Sequence, residues 1–142
     1  MATSLNRSRT AALHPLHAVL LAGTFPLFAG ALLSDLAYSN SFQVQWTNFA
    51  SWLIAGALVF GGIALLWALI DLVRARGWGG RPLLYALLLL ATWVLGFVNA
   101  LVHAKDAYAA MPAGTILSAI VTALSVLTIW TGFSTIRAGV GR

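Results

Sequence analysis

The chain predicts an all-α fold, an integral membrane, antiparallel four-helix bundle with both termini on the cytoplasmic side (N-in/C-in). Three observations predict it. Hydrophobic residues make up 61% and charged residues 8% of the 142, where soluble domains carry about 25% charged residues, and the mean hydropathy is +0.91. Four apolar segments, at 14–37, 47–73, 83–104 and 113–137, each approach the roughly 20 residues that cross a hydrocarbon core about 30 Å thick. With the N-terminus inside, Arg7, Arg9, Arg74, Arg76, Arg81, Arg137 and Arg142 all fall on the inner side and only Lys105 on the outer one, the asymmetry that orients membrane helices. Residues 1–142 are expected to form a single membrane domain embedded in the lipid bilayer.

The first helix opens at His14-Pro15-Leu16-His17 and runs on through Ala18 to Leu33. Pro15, Pro82 and Pro112 sit where a helix can begin, because a first-turn residue needs no N–H partner. Pro26 lies inside the first helix and is expected to kink it by removing a backbone hydrogen bond. Breaks are expected at Ser39-Asn40-Ser41, at Arg76 to Arg81, and from Lys105 to Met111. Arg7 and Arg9 ahead of an apolar run also suit a signal peptide, but His14, His17 and the lack of an Ala-x-Ala site favour a permanent helix. No sequence repeat is strong enough to argue for two fused halves.

Lipid removes the hydrophobic drive for helix pairing, so small and mildly polar residues should mark the touching faces. The fourth helix carries Thr115, Ser118, Thr122, Ser125 and Gly132 at steps of three and four or their sum; the second carries Ala57, Gly61, Ala64 and Ala68; the third, Thr92, Gly96, Asn99 and His103; the first, Gly23 and Gly30. Tyr38, Trp46, Trp52 and Tyr108 are read as anchors at the outer interface, Trp78 and Tyr85 at the inner one. Asp71 and Arg74, three apart, can pair at the inner end of the second helix.

The chain contains no cysteine, which excludes disulfides, zinc-thiolate sites, iron–sulfur ligation and c-type haem attachment. It has no Glu, and its acids are Asp35, Asp71 and Asp106. The net charge of +5 is dispersed at helix ends, so membrane topology explains it without nucleic acid. No nucleophile–base pair, phosphate loop or paired carboxylates can be assembled, and no metal site is expected. The protein reads as a non-enzyme. Transport would call for a buried ion or a broken helix near the midplane, and Pro26 alone does not supply it.

Two sets of residues remain as candidates. His14 and His17 share a helix face, continued by Thr24 and Phe28, and could ligate haem b or contact a quinone; a cap at His14 and a headgroup-level His17 explain them equally well. His103 cannot complete a bis-histidine haem with them, because Pro82 to His103 spans roughly 32 Å of helix. Asn99 and His103 could face Asp35, either as a small polar pocket open to the outside or as polar residues tying helix ends together. Trp67, Trp93 and Trp130 lie deeper than belt positions and either line a slot, fill the bundle or face lipid.

His14-Pro15-Leu16-His17, Ser34-Asp35-Leu36, Leu69-Ile70-Asp71-Leu72, Lys105-Asp106 and Arg137-Ala138-Gly139-Val140-Gly141 occur in succession. Together they resemble an uncharacterised family of small bacterial four-helix membrane proteins, a domain of unknown function with a His-Pro-x-His-type start and an Arg-His-Gly-Val-Gly-type ending. The resemblance runs from about residue 13 to 141. It implies an inner-membrane domain, in some relatives joined to or encoded beside redox proteins. It also implies a histidine beside Arg137 that could oppose the first helix, and this chain has Ala138 there. The leading expectation is a non-enzymatic accessory subunit of a bacterial inner-membrane complex, docked on other integral membrane subunits, with a link to respiratory or photosynthetic electron transfer. The alternative is a b-type haem or quinone-binding carrier centred on His14 and His17.

Overall fold

The computed structural model describes residues 13–75 and 79–140, with side chains to residue 134. The expectations for Arg7, Arg9, Arg76, Trp78, the side chains of Arg137 and Ala138, and Arg142 lie outside the described residues. Those residues form helices α1 (Pro15–Ser41), α2 (Val44–Arg74), α3 (Gly80–His103), the single-turn α4 (Ala107–Ala110) and α5 (Ala113–Val140). The four long ones are apolar enough to cross a membrane. Each neighbours two others in the order α1, α2, α3, α5, so α1 and α3 stand diagonally opposite.

Glycine contacts give the helix directions. A Cβ on Gly23 would lie 2.7 Å from Phe60, one on Gly30 would lie 3.1 Å from Leu53, and one on Gly56 would lie 3.6 Å from Leu27. Residue numbers rise along α1 as they fall along α2, as antiparallel neighbours require. Gly132, late in α5, packs on Leu21 and Tyr85, early in α1 and α3, so α5 also runs against them. The small residues let backbones approach closely, which is how dispersion contacts accumulate between helices in lipid. Trp93 fastens α3 to α2 more directly by donating its indole N–H to the Leu58 carbonyl at 3.0 Å.

The helix ends differ from expectation for identifiable reasons. Ser39-Asn40-Ser41 is helical, because the side chains of Ser39, Asn40 and Ser41 each bond back to the carbonyl four residues earlier, leaving the turn to Phe42 and Gln43. Phe42 takes a left-handed conformation (φ 54°) and returns its N–H to the Tyr38 carbonyl, so α2 can begin at Val44, ahead of the expected 47. Gly80 opens α3 at φ 68°, a conformation cheap only for glycine. α1 runs through Pro26 without a break.

The diagonal pair has a register that the sequence alone did not reveal. Adding 68, the separation of His17 from Tyr85 and of Asp35 from His103, to six of the eight buried positions of α1 gives buried positions of α3. Thus His17, Leu21, Thr24, Phe28, Ala31 and Asp35 correspond to Tyr85, Leu89, Thr92, Gly96, Asn99 and His103. The diagonal helices α1 and α3 thus share one register, and His17 with Tyr85, Phe28 with Gly96 and Asp35 with His103 meet across the bundle. The register was hidden because most paired positions carry different residues.

Gly132 should tolerate no side chain. Gly132→Val would drive a methyl into Leu21 and Tyr85 and is expected to lower stability by about 1–3 kcal/mol in detergent thermal unfolding. Gly79→Ala meets nothing within 4 Å and should change it by less than about 0.5 kcal/mol.

Candidate functional site

Where α1 and α3 end and α5 begins, four polar side chains come together inside the bundle. His103 Nε2 lies 2.8 Å from Asp35 Oδ1, and the Ser118 hydroxyl donates to Asp35 Oδ2 at 2.6 Å. The Asn99 amide donates to Ser118 Oγ at 2.9 Å, and His103 Nδ1 lies 3.0 Å from the Asn99 carbonyl. Starting and ending at Asn99, these bonds close a ring. Asp35, Asn99 and Ser118 are fully buried and His103 is 6% exposed. Gly114 leaves room for the imidazole, since a Cβ there would stand 2.9 Å from His103 Cε1.

The partners fix the protons. A backbone carbonyl only accepts, so His103 Nδ1 carries a hydrogen. One further hydrogen lies between Nε2 and Asp35 Oδ1. Placed on nitrogen it makes an ion pair, and placed on oxygen a neutral acid and imidazole; either way the unit has no net charge. That neutrality lets an acid sit at membrane depth. Ser118 commits its proton to the Asp35 carboxyl rather than to the imidazole. Asn99 Oδ1 is buried with no partner, the one acceptor in the cluster left unsatisfied.

The opposite end of the axis carries a second pair. His17 Nε2 and the Tyr85 hydroxyl are 2.7 Å apart, with His17 1% and Tyr85 7% exposed. α1 and α3 turn both side chains toward the bundle axis, so Tyr85 is not the outward-facing anchor expected. Nδ1 of His17 is buried without a partner. His14 accepts the Leu16 N–H at 3.2 Å and caps α1. Both imidazoles lean on Trp67, with ring centroids 5.0 and 5.5 Å apart.

Between the two ends, Thr92 and Thr128 meet at 3.0 Å. Of the expected α5 stripe, Ser118, Ser125 and Gly132 are buried, whereas Thr115 and Thr122 are half-buried on its flank and bond within their own helix or to Met111. Thr128 is the buried member that the sequence reading missed; its spacing of three from Ser125 and four from Gly132 was the available signal. Tyr38 is also buried rather than an interface anchor, while Trp52 and Tyr108 are exposed. Among the described residues no ion pair joins Asp71 to Arg74. Both are exposed and line a groove of about 290 Å³. Trp130 faces outward beside a second groove, of about 420 Å³, against Phe25 and Phe133.

These features describe a four-helix membrane protein with its polar chemistry sealed on the bundle axis. The model of the DUF2231 family of predicted membrane proteins matches residues 13–141, and the chain belongs to that family. No curated protein and no solved structure matches it.

Breaking the ring on one side should cost more than removing the charged pair altogether. Asp35→Leu or His103→Leu alone leaves one buried polar group unpaired and is expected to cost about 3–5 kcal/mol. The double replacement should recover part of that loss. A double-mutant cycle on thermal unfolding in detergent measures it, and additive losses would show that the two side chains are not coupled.

Proposed function

We propose that this protein is a non-enzymatic accessory subunit of a bacterial inner-membrane complex. It would lie N-in/C-in and dock against other integral membrane subunits of an electron-transfer assembly. The observation that supports this is the closure of the Asp35–His103–Ser118–Asn99 ring, which uses the strongest polar groups of the bundle for internal bonds and leaves the ring fully buried. Such a ring suits a rigid support more than a site that must admit substrate. The outer faces supply what a docking subunit needs, with large side chains such as Trp52 and Trp130 about three-quarters exposed. The electron-transfer link rests on the family resemblance.

One observation favours the alternative, a haem b or quinone carrier on His14 and His17: the buried Nδ1 of His17 has no partner. Against it, Tyr85 holds the other nitrogen of His17 and the Nδ1 of His14 caps the helix.

Extraction of the tagged protein from its native membrane in a mild detergent is expected to bring down other membrane chains in fixed stoichiometry. Recovery as a lone monomer would overturn the subunit reading. A Soret band in the purified protein, or a bound quinone lost on His17→Ala, would favour the carrier.

A further inference from the structure

The groove at the Arg74 end of α2 has the form of a phospholipid site. Its walls are Ile63, Leu66, Trp67, Ile70, Asp71 and Arg74, which recur at steps of one, three and four along one outward stripe of α2. From Arg74 back to Ile63 the stripe is roughly 16 Å long. That is about half of a 30 Å hydrocarbon core, the depth of one leaflet. The charged residues stand at the helix end, where headgroups lie. The apolar residues lead inward, where an acyl chain lies.

The charges specify the headgroup. Asp71 and Arg74 are close enough in sequence to satisfy each other, yet no ion pair joins them, and neither side chain makes a hydrogen bond among the described residues. Both are exposed in the same groove. An anion and a cation that line one groove without closing on each other match a ligand that carries a phosphate and a primary ammonium together.

We propose that this groove binds one aminophospholipid of the phosphatidylethanolamine class. The Arg74 guanidinium would hold its phosphate, Asp71 its ammonium, and the stripe of Ile70, Leu66 and Ile63 one acyl chain. An anionic phosphatidylglycerol would gain Arg74 but be opposed by Asp71. A choline headgroup offers Asp71 no N–H to accept.

The full-length protein, reconstituted in nanodiscs holding equal amounts of ethanolamine, glycerol and choline phospholipids with identical acyl chains, provides the test by native mass spectrometry after release. The expected result is one retained ethanolamine lipid per chain. D71N should reduce the preference for it over phosphatidylglycerol about fivefold, the worth of one charge contact near a membrane surface, and R74Q should weaken retention of both. L66W, which fills the groove without touching the charges, should expel the lipid while circular dichroism stays unchanged. Equal retention of the three lipids by wild type, unchanged selectivity in D71N, or a quinone retained in place of phospholipid would each overturn the proposal.

Discussion

A helix surrounded by lipid gains little by exchanging acyl chains for another apolar helix, so this bundle depends on bonds and close contacts that lipid cannot offer. The Asp35–His103 pair is the most demanding of them. A lone carboxylate at that depth would be prohibitively costly, and an acid facing one imidazole would still leave lone pairs and hydrogens unmet. Ser118 fills one of those vacancies, the Asn99 carbonyl another, and Gly114 admits the ring edge. Three helices must therefore arrive together in one register. A slip of one residue in α1, α3 or α5 would leave a buried polar group without its partner, so the ring selects a single packing as well as stabilising it.

The shared register of α1 and α3 extends that selection over the length of the bundle. Where residues of the two diagonal helices face each other they compete for the same space, and the pairs divide it by size or by chemistry. Phe28 lies over Gly96, where a Cβ would come within 3.0 Å of its ring. Acid meets base at Asp35 and His103, and phenol meets imidazole at Tyr85 and His17. Leu21 and Leu89 share one apolar cluster, and Thr24 and Thr92 each donate to a carbonyl of their own helix. Polar layers thus alternate with apolar ones, and the two core clusters, around Leu21 and Leu89 and around Phe28 and Val121, fill the spaces between. Because the divided pairs are complementary rather than alike, the same arrangement that locks the bundle conceals the α1–α3 register from a comparison of residues.

The sequence conveyed the architecture well because membrane architecture is written in long averages. Twenty apolar residues bounded by Gly, Pro and charge mark a helix almost regardless of their order, and the buried stripes of α2 and α3, Ala57 to Ala68 and Thr92 to His103, follow from small residues at helical spacing. The site was half legible for a different reason. Asp35, Asn99 and His103 could be placed at one end from topology, but Ser118 became their partner only through the rotation of α5, which spacing does not give. Tyr85 was read only as an anchor because near a helix start a tyrosine suits the lipid-facing side and the bundle axis equally well. The distinction lies in its helix phase relative to Leu89 and Thr92, and a phase has meaning only once the facing helix is known.

Interior and exterior use polarity in opposite ways. On the axis nearly every donor has an acceptor, the acid–base ring is neutral, and the side chains are shut off from solvent and lipid. Only His17 Nδ1 and Asn99 Oδ1 among these buried side-chain atoms are left without a partner. On the surface Asp71 and Arg74 retain their full capacity, and large apolar side chains extend into what surrounds the protein. In a molecule organised this way the buried histidines hold the shape, and the uncommitted polar and large apolar side chains lie on its outer faces. Sequence motifs rich in histidine invite a reading as ligand sets; here hydrogen-bond accounting commits His103 and one nitrogen of His17 to the fold itself.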